Sequence, residues 1–384
     1  MRIGFDAKRL FSNFTGLGNY SRTTLDILLK YVPDHQYLLF APKTKETEAT
    51  KRFLGKAQPE VVLPHGAIGG SLWRTFLMGK DLREHRVELF HGLSNELPSG
   101  LRKRGIRSLV TIHDVAFRTF TDMYKWHDRQ IYDIKWKHAC RHADKIIAIS
   151  ESTKRDIIRF YNIDEQKIEV VYQPVAPLFY QKQPADGARR LAEETIPNLP
   201  QHFMLYVGSV NSRKNLLGIV KAMELLPSDL QIPLVVVGGG GSYKQEVLRY
   251  IEKQHLHHLF IFPKRIDSDV ALQALYQSAS LFVYPSFYEG FGLPVVEALL
   301  SGCPVVTSDV SSLPEAGGPA SLKASPSSIE SIADCISQVL SDNGQREKMV
   351  DEGYAYAMQK FNPEKLALQL AECYESCKTL LLEL

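Results

Sequence analysis

The stretch SFYEGFGLPVVEALLSGCPVVTSDV, Ser286 to Val310, decides how the rest of the chain is read. It completes the apolar run LFVYPS, which has the length and content of a buried strand. YEGFGLP then reads as a loop in which Gly290 and Gly292 let backbone N–H groups come close to a ligand. VVEALLSG reads as a helix, with Pro294 suited to its first turn and Gly302 marking its end. PVVTSD opens another strand. Strand, loop, helix and strand in this order form the repeating unit of a parallel α/β layer. Two carboxylates punctuate the unit, Glu289 on the glycine loop and Glu297 on the first helical turn. A carboxylate accepts hydrogen bonds from vicinal hydroxyls, so Glu297 suits a ribose diol and Glu289 a hexose. Such a pair reads two sugars on one molecule, unlike a hydrolase pair that flanks a single bond.

The same alternation runs along the chain. MRIGFDA, YLLFAP, LFHGL, SLVTIHD, KIIAIS and IEVVYQP form one series of strand candidates; HFMLYVGSV, PLVVVGG, LFIFP, LFVYPS and PVVTSD form a second. Amphipathic stretches such as TTLDILLKYV, STKRDIIRFY, NLLGIVKAMELL and DVALQALYQSA lie between them. The pattern breaks in the proline-rich, strandless stretch before HFMLYVGSV. The expected organisation is therefore an α/β domain over 1–178, a linker over 179–200 and a second α/β domain over 201–362. A terminal helix over 363–384 is expected to return to the first domain. A cleft between two such domains is the default place for a ligand.

Composition bounds the function. A chain of 384 residues exceeds one ordinary core. The 44% hydrophobic and 23% charged content is that of a soluble globular protein. No apolar run approaches the ~18 residues of a membrane span, and MRIGF reads as a strand, not a signal peptide, so a cytoplasmic protein is expected. Five cysteines without a C-x-x-C spacing argue against a disulfide framework or a zinc site; Cys373 and Cys377 read as buried apolar residues of a helix. The net charge of +3 hides an asymmetry. Residues 1–178 hold 29 Lys and Arg against 20 Asp and Glu, whereas 179–384 hold 17 against 23. The basic half contains LRKRGIRS, with Arg102, Lys103, Arg104 and Arg107. This run is either a solvated loop or a patch for phosphates, nucleic acid or an anionic membrane.

Ligands of parallel sheets sit at the carboxyl ends of the strands, and several of these ends carry suggestive residues. TGLGNY places Gly16 and Gly18 before a helix, where N–H groups meet an anion or simply make a turn. TIHDVAF ends a strand with His113 and Asp114, a substrate contact or a core histidine. YVGSVNSRKNL closes a strand with Gly208 and then brings the cations Arg213 and Lys214 to a helix start, a pairing that neutralises a diphosphate without a metal. VVVGGGGSYKQEV imitates a dinucleotide loop, but Tyr243 stands where its third glycine belongs, so it reads as a turn. Asp267 and Asp269 read as a helix cap in preference to metal ligands.

Taken in order, TGLGNY, TIHD, IAISESTKRDI, YVGSVNSRKNL, YPSFYEGFGLPVVEAL and SGCPVVTSDVSSLPE resemble the retaining glycosyltransferases of family four, over nearly the whole chain. The resemblance implies the GT-B fold, two Rossmann-like α/β domains facing across a cleft. It implies that Arg213 and Lys214 bind the donor diphosphate, Glu297 the ribose and Glu289 the transferred sugar. Backbone groups around Gly290, Phe291, Gly292 and Leu293 would touch sugar and phosphate. Gly16 and Gly18 would close on the donor, Gly208 would border it, and His113 would lie near the reacting sugar. FPKRIDS resembles the base-contacting segment, which assigns Arg265 and Ile266 to the nucleotide, although the family commonly has a glycine near Lys264. Retention of configuration without an essential metal or other cofactor is implied. TIHDVAF resembles mannosyltransferases of bacterial surface polysaccharides, pointing to GDP-mannose first and UDP-sugars next. The implied partners are a sugar nucleotide and a glycan or lipid-linked acceptor, with no nucleic acid; the basic balance of residues 1–178 and the Arg102–Arg107 run add an expected peripheral contact with an anionic membrane. A sugar-nucleotide epimerase, a phosphorylase or a non-enzymatic membrane module are the competing classes; failed glycine fingerprints disfavour a nicotinamide oxidoreductase.

Overall fold

Two wholly parallel sheets carry the chain. The computed structural model describes residues 1–64, 69–266 and 268–379. The first sheet contains β1 (Arg2–Asp6), β2 (Gln36–Phe40), β3 (Glu60–Val62), β4 (Leu89–Gly92), β5 (Arg107–Ile112), β6 (Lys145–Ala148) and β7 (Ile168–Val170), in the order β3-β2-β1-β4-β5-β6-β7. The second contains β8 (Met204–Val207), β9 (Leu234–Val237), β10 (Phe260–Ile261), β11 (Leu281–Tyr284), β12 (Val305–Ser308) and β13 (Leu322–Ala324), in the order β10-β9-β8-β11-β12-β13. The central strands are buried along their length because helices cover both faces, and they are therefore continuous apolar runs. In both sheets the winding reverses after the first strand, at β1/β4 and at β8/β11. A reversal of this kind opens a crevice beyond the carboxyl ends of the two strands, where ligands of doubly wound sheets bind.

β3 and β13 have no counterpart among the expected strands. Each has three residues and lies at a sheet edge, and Glu60 or Lys323 interrupts its apolar content. An edge strand with one solvated side has no continuous apolar run to betray it.

The chain divides into Met1–Pro174 with the segment from Asn362, and Val175–Phe361. The expected linker over 179–200 is thus corrected. Pro177–Tyr180 forms a turn of 3-10 helix and Ala185–Thr195 an α-helix within the second unit. Gln273 donates to the carbonyls of Leu178 (2.8 Å) and Gln181 (2.9 Å), and Gln277 donates to that of Gln183 (3.0 Å). The prolines misled because Pro177 and Pro184 stand at helix starts, where a missing N–H costs nothing.

Helix Pro363–Thr379 packs in the first unit, with Leu366, Leu370, Tyr374 and Cys377 in its core; residues 380–384 lie outside those described. Burial pushes the thiols of Cys373 and Cys377 up to about 12, so both are inert packing groups. Tyr374 also joins a buried polar chain. Its hydroxyl meets His91 Nδ1 at 3.0 Å, His91 Nε2 meets Thr111 Oγ1 at 2.8 Å, and Thr111 meets the Tyr20 hydroxyl at 3.0 Å. Burial drives His91 down to about 3, so the ring is neutral.

Candidate active site

The richest polar constellation among the described residues lies past the carboxyl ends of β8 and β11. Gly208 follows β8 and leads to Asn211, whose side chain accepts from the Lys214 N–H at 3.2 Å and shapes the turn Ser212–Lys214. Asn215, at a φ of 57°, then opens helix Leu216–Glu224, and its amide donates to the carbonyls of Pro285 (3.2 Å) and Pro326 (2.8 Å). These bonds tie the β8 loop to the loops after β11 and β13. The glycines of VVVGGGG serve the same packing. A Cβ on Gly238 would lie 1.8 Å from the Gly208 carbonyl oxygen, and its φ of +155° excludes other residues. The turn reading of this segment agrees with that geometry.

Glu289 is the centre of the constellation. Its Oε1 meets Lys214 Nζ at 2.6 Å, and its Oε2 meets Arg213 Nη1 at 3.1 Å. Ser286 Oγ donates to Oε1 at 2.7 Å and the Tyr284 hydroxyl donates to it at 3.2 Å. Lys214 also donates to the Tyr284 hydroxyl and Arg213 to the Tyr288 carbonyl. Burial by itself would raise the Glu289 carboxyl, but Lys214 and Arg213 overcome burial and hold it at about 2. Two cations thus converge on one buried carboxylate. Ser311 and Ser312 brace the loop: the Glu289 N–H donates to Ser311 Oγ at 3.0 Å, and Ser312 Oγ donates to the carbonyls of Glu289 and Phe291, each at 2.8 Å.

Glu297 lies apart from this knot. It is half-buried on helix Leu293–Leu300 and accepts from the Tyr276 hydroxyl at 3.2 Å. Burial raises its carboxyl to about 7; the phenol opposes the shift and Asp269 adds to it. Two glutamates eight residues apart are thus driven in opposite directions. Gly292 begins the helix at a φ of +110°, a conformation that brings its backbone against Leu313. The Phe291 ring is buried against Phe361, 5.3 Å between centroids, so only its backbone can serve a ligand. Gly290 and Leu293 are half-buried on the same loop. Arg265 is exposed and Ile266 half-buried beyond β10, at the same sheet edge as Gly208. Asp267 lies outside the described residues; Ser268 caps helix Asp269–Ser278 by accepting from Ala271 N–H at 3.3 Å.

The remaining candidates belong to the first unit. Gly16 begins helix Gly16–Tyr31 with open space above it, whereas a Cβ on Gly18 would meet the Asn13 carbonyl oxygen at 1.7 Å. Asn13 Oδ1 already accepts from the N–H groups of Thr15 (2.9 Å) and Gly18 (3.1 Å). His113 is buried just past β5. Its Nε2 donates to the Leu93 carbonyl at 2.9 Å, and Gln173 donates to its Nδ1 at 2.8 Å. Burial lowers its pKa to about 4. His113 is therefore a neutral ring with a fixed tautomer, suited to positioning and poorly suited to carrying a proton. The sequence reading had singled out the cations and glutamates but missed Tyr284, Ser286, Tyr276 and Asn211. Only Asn211 left a local signal, an Asn three residues before Lys214 at a cap position.

Known proteins share the fold and parts of the sequence. The glycosyl transferases group 1 model matches residues 189–356, and the Glycosyltransferase Family 4 model matches 21–177. O-antigen chain mannosyltransferase B of Escherichia coli is 33% identical over 297 residues, 77% of this chain and 76% of that protein. Serotype-specific mannosyltransferase WbdA of the same organism is 30% identical over 52% of this chain, which spans 25% of WbdA. Sucrose-phosphate synthase of Thermosynechococcus elongatus superposes with a TM-score of 0.77 at 21% identity, covering 99% of this chain and all of that one. Anabaena Alr3699/HepE in complex with UDP superposes at 0.75 and 18% identity, covering 98% of this chain and all of that one. These likenesses establish the GT-B fold.

Proposed function

We propose, because this chain belongs to the group 1 glycosyltransferases, that it transfers mannose from GDP-mannose to a glycan or lipid-linked acceptor, with retention at the anomeric carbon. The observation that carries this reading is the pair Arg213–Lys214, both cations held on one buried carboxylate at the β8/β11 reversal. A diphosphate takes its place against these two cations. Glu297, beside the Tyr276 hydroxyl, receives the ribose diol. Backbone groups of Gly290–Leu293 take the sugar and phosphate, and Arg265 and Ile266 border the base. The name of the E. coli relative supports mannose and a surface-polysaccharide acceptor.

The bond from the anomeric carbon to the phosphate oxygen loosens first, and the diphosphate gathers charge as it leaves. Lys214 and Arg213 stabilise that charge in place, without reorganising. The acceptor hydroxyl attacks the same face, and its proton passes to the departing phosphate oxygen. No covalent enzyme intermediate and no metal is required by this sequence of events. Glu289 keeps the cations in place; contact between its carboxylate and the sugar requires one of its present partners to yield. A thermal-shift screen over sugar nucleotides tests the donor, since a ligand at ~100 times its dissociation constant adds about 2.7 kcal/mol. GDP-mannose is expected to give the largest shift; a larger one with a UDP-sugar overturns the donor assignment. Proton NMR of the product's anomeric signal tests retention. Donor turnover without any sugar acceptor would instead favour an epimerase.

A further inference from the structure

The first sheet has a reversal of its own, at β1/β4, and the side chains around it include two cations that no acid holds. The basic run Arg102–Arg107 lies away from this place, at the amino edge where Arg107 begins β5. At the carboxyl edge β1 ends in Asp6, and the short helix Lys8–Ser12 follows almost at once. Asp6 and Glu96 already have cations there. Asp6 pairs with Arg74, and Glu96 meets Arg74 Nη1 at 3.3 Å and Lys135 Nζ at 3.4 Å. Lys8 and Arg9 are half-buried beside them, and neither side chain makes an ion pair or a hydrogen bond among the described residues.

The fold gathers like charges at this point. Burial lowers the Lys8 ammonium from its ordinary range, and the charges of Arg74 and then Arg9 lower it further, with Glu96 and Asp6 acting against them. Burial is also the larger cause of the low His113 pKa, and the charge of Arg9 adds to it. Arg9 therefore lies within electrostatic reach of the strand end that carries His113. The backbone between the two cations and helix Gly16–Tyr31 is braced. Arg22 is buried, and its Nη1 donates to the carbonyls of Leu10 and Asn13, each at 2.8 Å. From Ala7 to Leu25 the chain has no Asp or Glu.

We infer that Lys8 and Arg9 form an anion-binding subsite of the first unit, and that it takes a phosphoryl group carried by the acceptor. The inference rests on the transferase reading above: the donor diphosphate is assigned to Arg213–Lys214, so a second anion site belongs to the other substrate. An ammonium and a guanidinium side by side suit a phosphoryl dianion, the guanidinium as a fork of N–H donors and the ammonium as a point charge. A neutral sugar would leave both charges unmatched and half out of water. A phosphoryl group would also offset their repulsion with Arg74 while leaving the Asp6–Arg74 pair intact.

Calorimetry on the whole chain tests the inference, with inorganic pyrophosphate as the probe and GDP at saturation to fill the donor site. Wild type is expected to bind pyrophosphate under these conditions. Lys8→Gln and Arg9→Gln should each weaken that binding by about tenfold or more, as the loss of a charge-assisted hydrogen bond does. GDP affinity should be unchanged in both, which also shows that the variants fold. Geranyl diphosphate and mannose 1-phosphate are soluble carriers of a lipid-linked and a sugar-linked phosphoryl group. At least one of them should displace pyrophosphate, and failure of both overturns the acceptor assignment. Wild type that binds no pyrophosphate alongside GDP, or variants that bind it as wild type does, overturns the inference. Pyrophosphate binding that needs Lys8 and Arg9 but is lost on adding GDP would give these cations to the donor and overturn the acceptor assignment. Pyrophosphate binding by a chain that takes neither GDP nor GDP-mannose would leave the subsite standing and overturn the transferase reading instead.

Discussion

The two sheets reverse their winding at equivalent places, yet the charges gathered there differ. At β1/β4, Asp6 takes Arg74, whose Nη1 reaches Glu96 at 3.3 Å, and Lys135 meets Glu96 at 3.4 Å. Each acid there meets a cation from a distant segment. At β8/β11 the chain neighbours Arg213 and Lys214 converge on the carboxylate of Glu289. Topology supplies a crevice at both positions, but only the second sets two neighbouring cations of the chain around a single carboxylate, the arrangement on which the proposed diphosphate site rests. On the proposed reading, the pairs at β1/β4 are a structural device, whereas Glu289 keeps two cations ordered for a ligand.

The largest effect is expected where one of the two converging cations is removed. Lys214→Ala should slow single turnover at saturating donor roughly 10²–10³-fold, as the loss of a donor to developing negative charge does elsewhere. Ground-state donor affinity should fall much less, because the charge grows as the bond breaks. Equal losses in rate and affinity would place Lys214 on the ground state and blunt the contrast between the two sites. Next, Arg74→Ala leaves buried Asp6 without its cation and should cost about 3–5 kcal/mol of first-unit stability in urea unfolding. Nucleotide affinity of the folded variant should be unchanged; a comparable fall in affinity would show that β1/β4 shares the donor's work.

Smaller effects separate the two glutamates. Glu297→Ala should weaken GDP and GDP-mannose alike by about 1.5–3 kcal/mol, read by calorimetry. Its raised carboxyl also predicts a pH signature. Folding lifts it from 4.5 to about 7, so the folded protein holds an extra proton between those values. The stability this contributes is complete below pH 4.5 and lost as pH rises through 7. Wild type should therefore lose stability relative to Glu297→Gln between pH 5 and 8, by at most about 1.4 kcal/mol per pH unit. Glu289 behaves oppositely: held at about 2, its contribution is complete above 4.5 and fades only as pH falls toward 2. A Glu289→Gln comparison should be flat across the neutral range, and a slope there would mean its cations are not in place.

The chain's sequence alone determined the strand–loop–helix units, the glycine loop before Glu297 and the cation pair at Arg213–Lys214. Each is a local matter: apolar run length, helical spacing and glycine or proline punctuation all act within a few residues. It could not register β3 and β13, because short edge strands carry no continuous apolar run, and it mistook Ala185–Thr195 for part of a linker because helix-start prolines look like breakers. The tertiary structure decided the rest. Arg213 and Glu289 are 76 residues apart in the chain and meet only because β8 and β11 lie side by side. His113 is closed off by Leu93 and Gln173, and the Arg102–Arg107 run faces the amino edge. Burial and charge pairing depend on which distant segments fold together, and that is why one glutamate of the opening stretch is held at about 2 and the other at about 7.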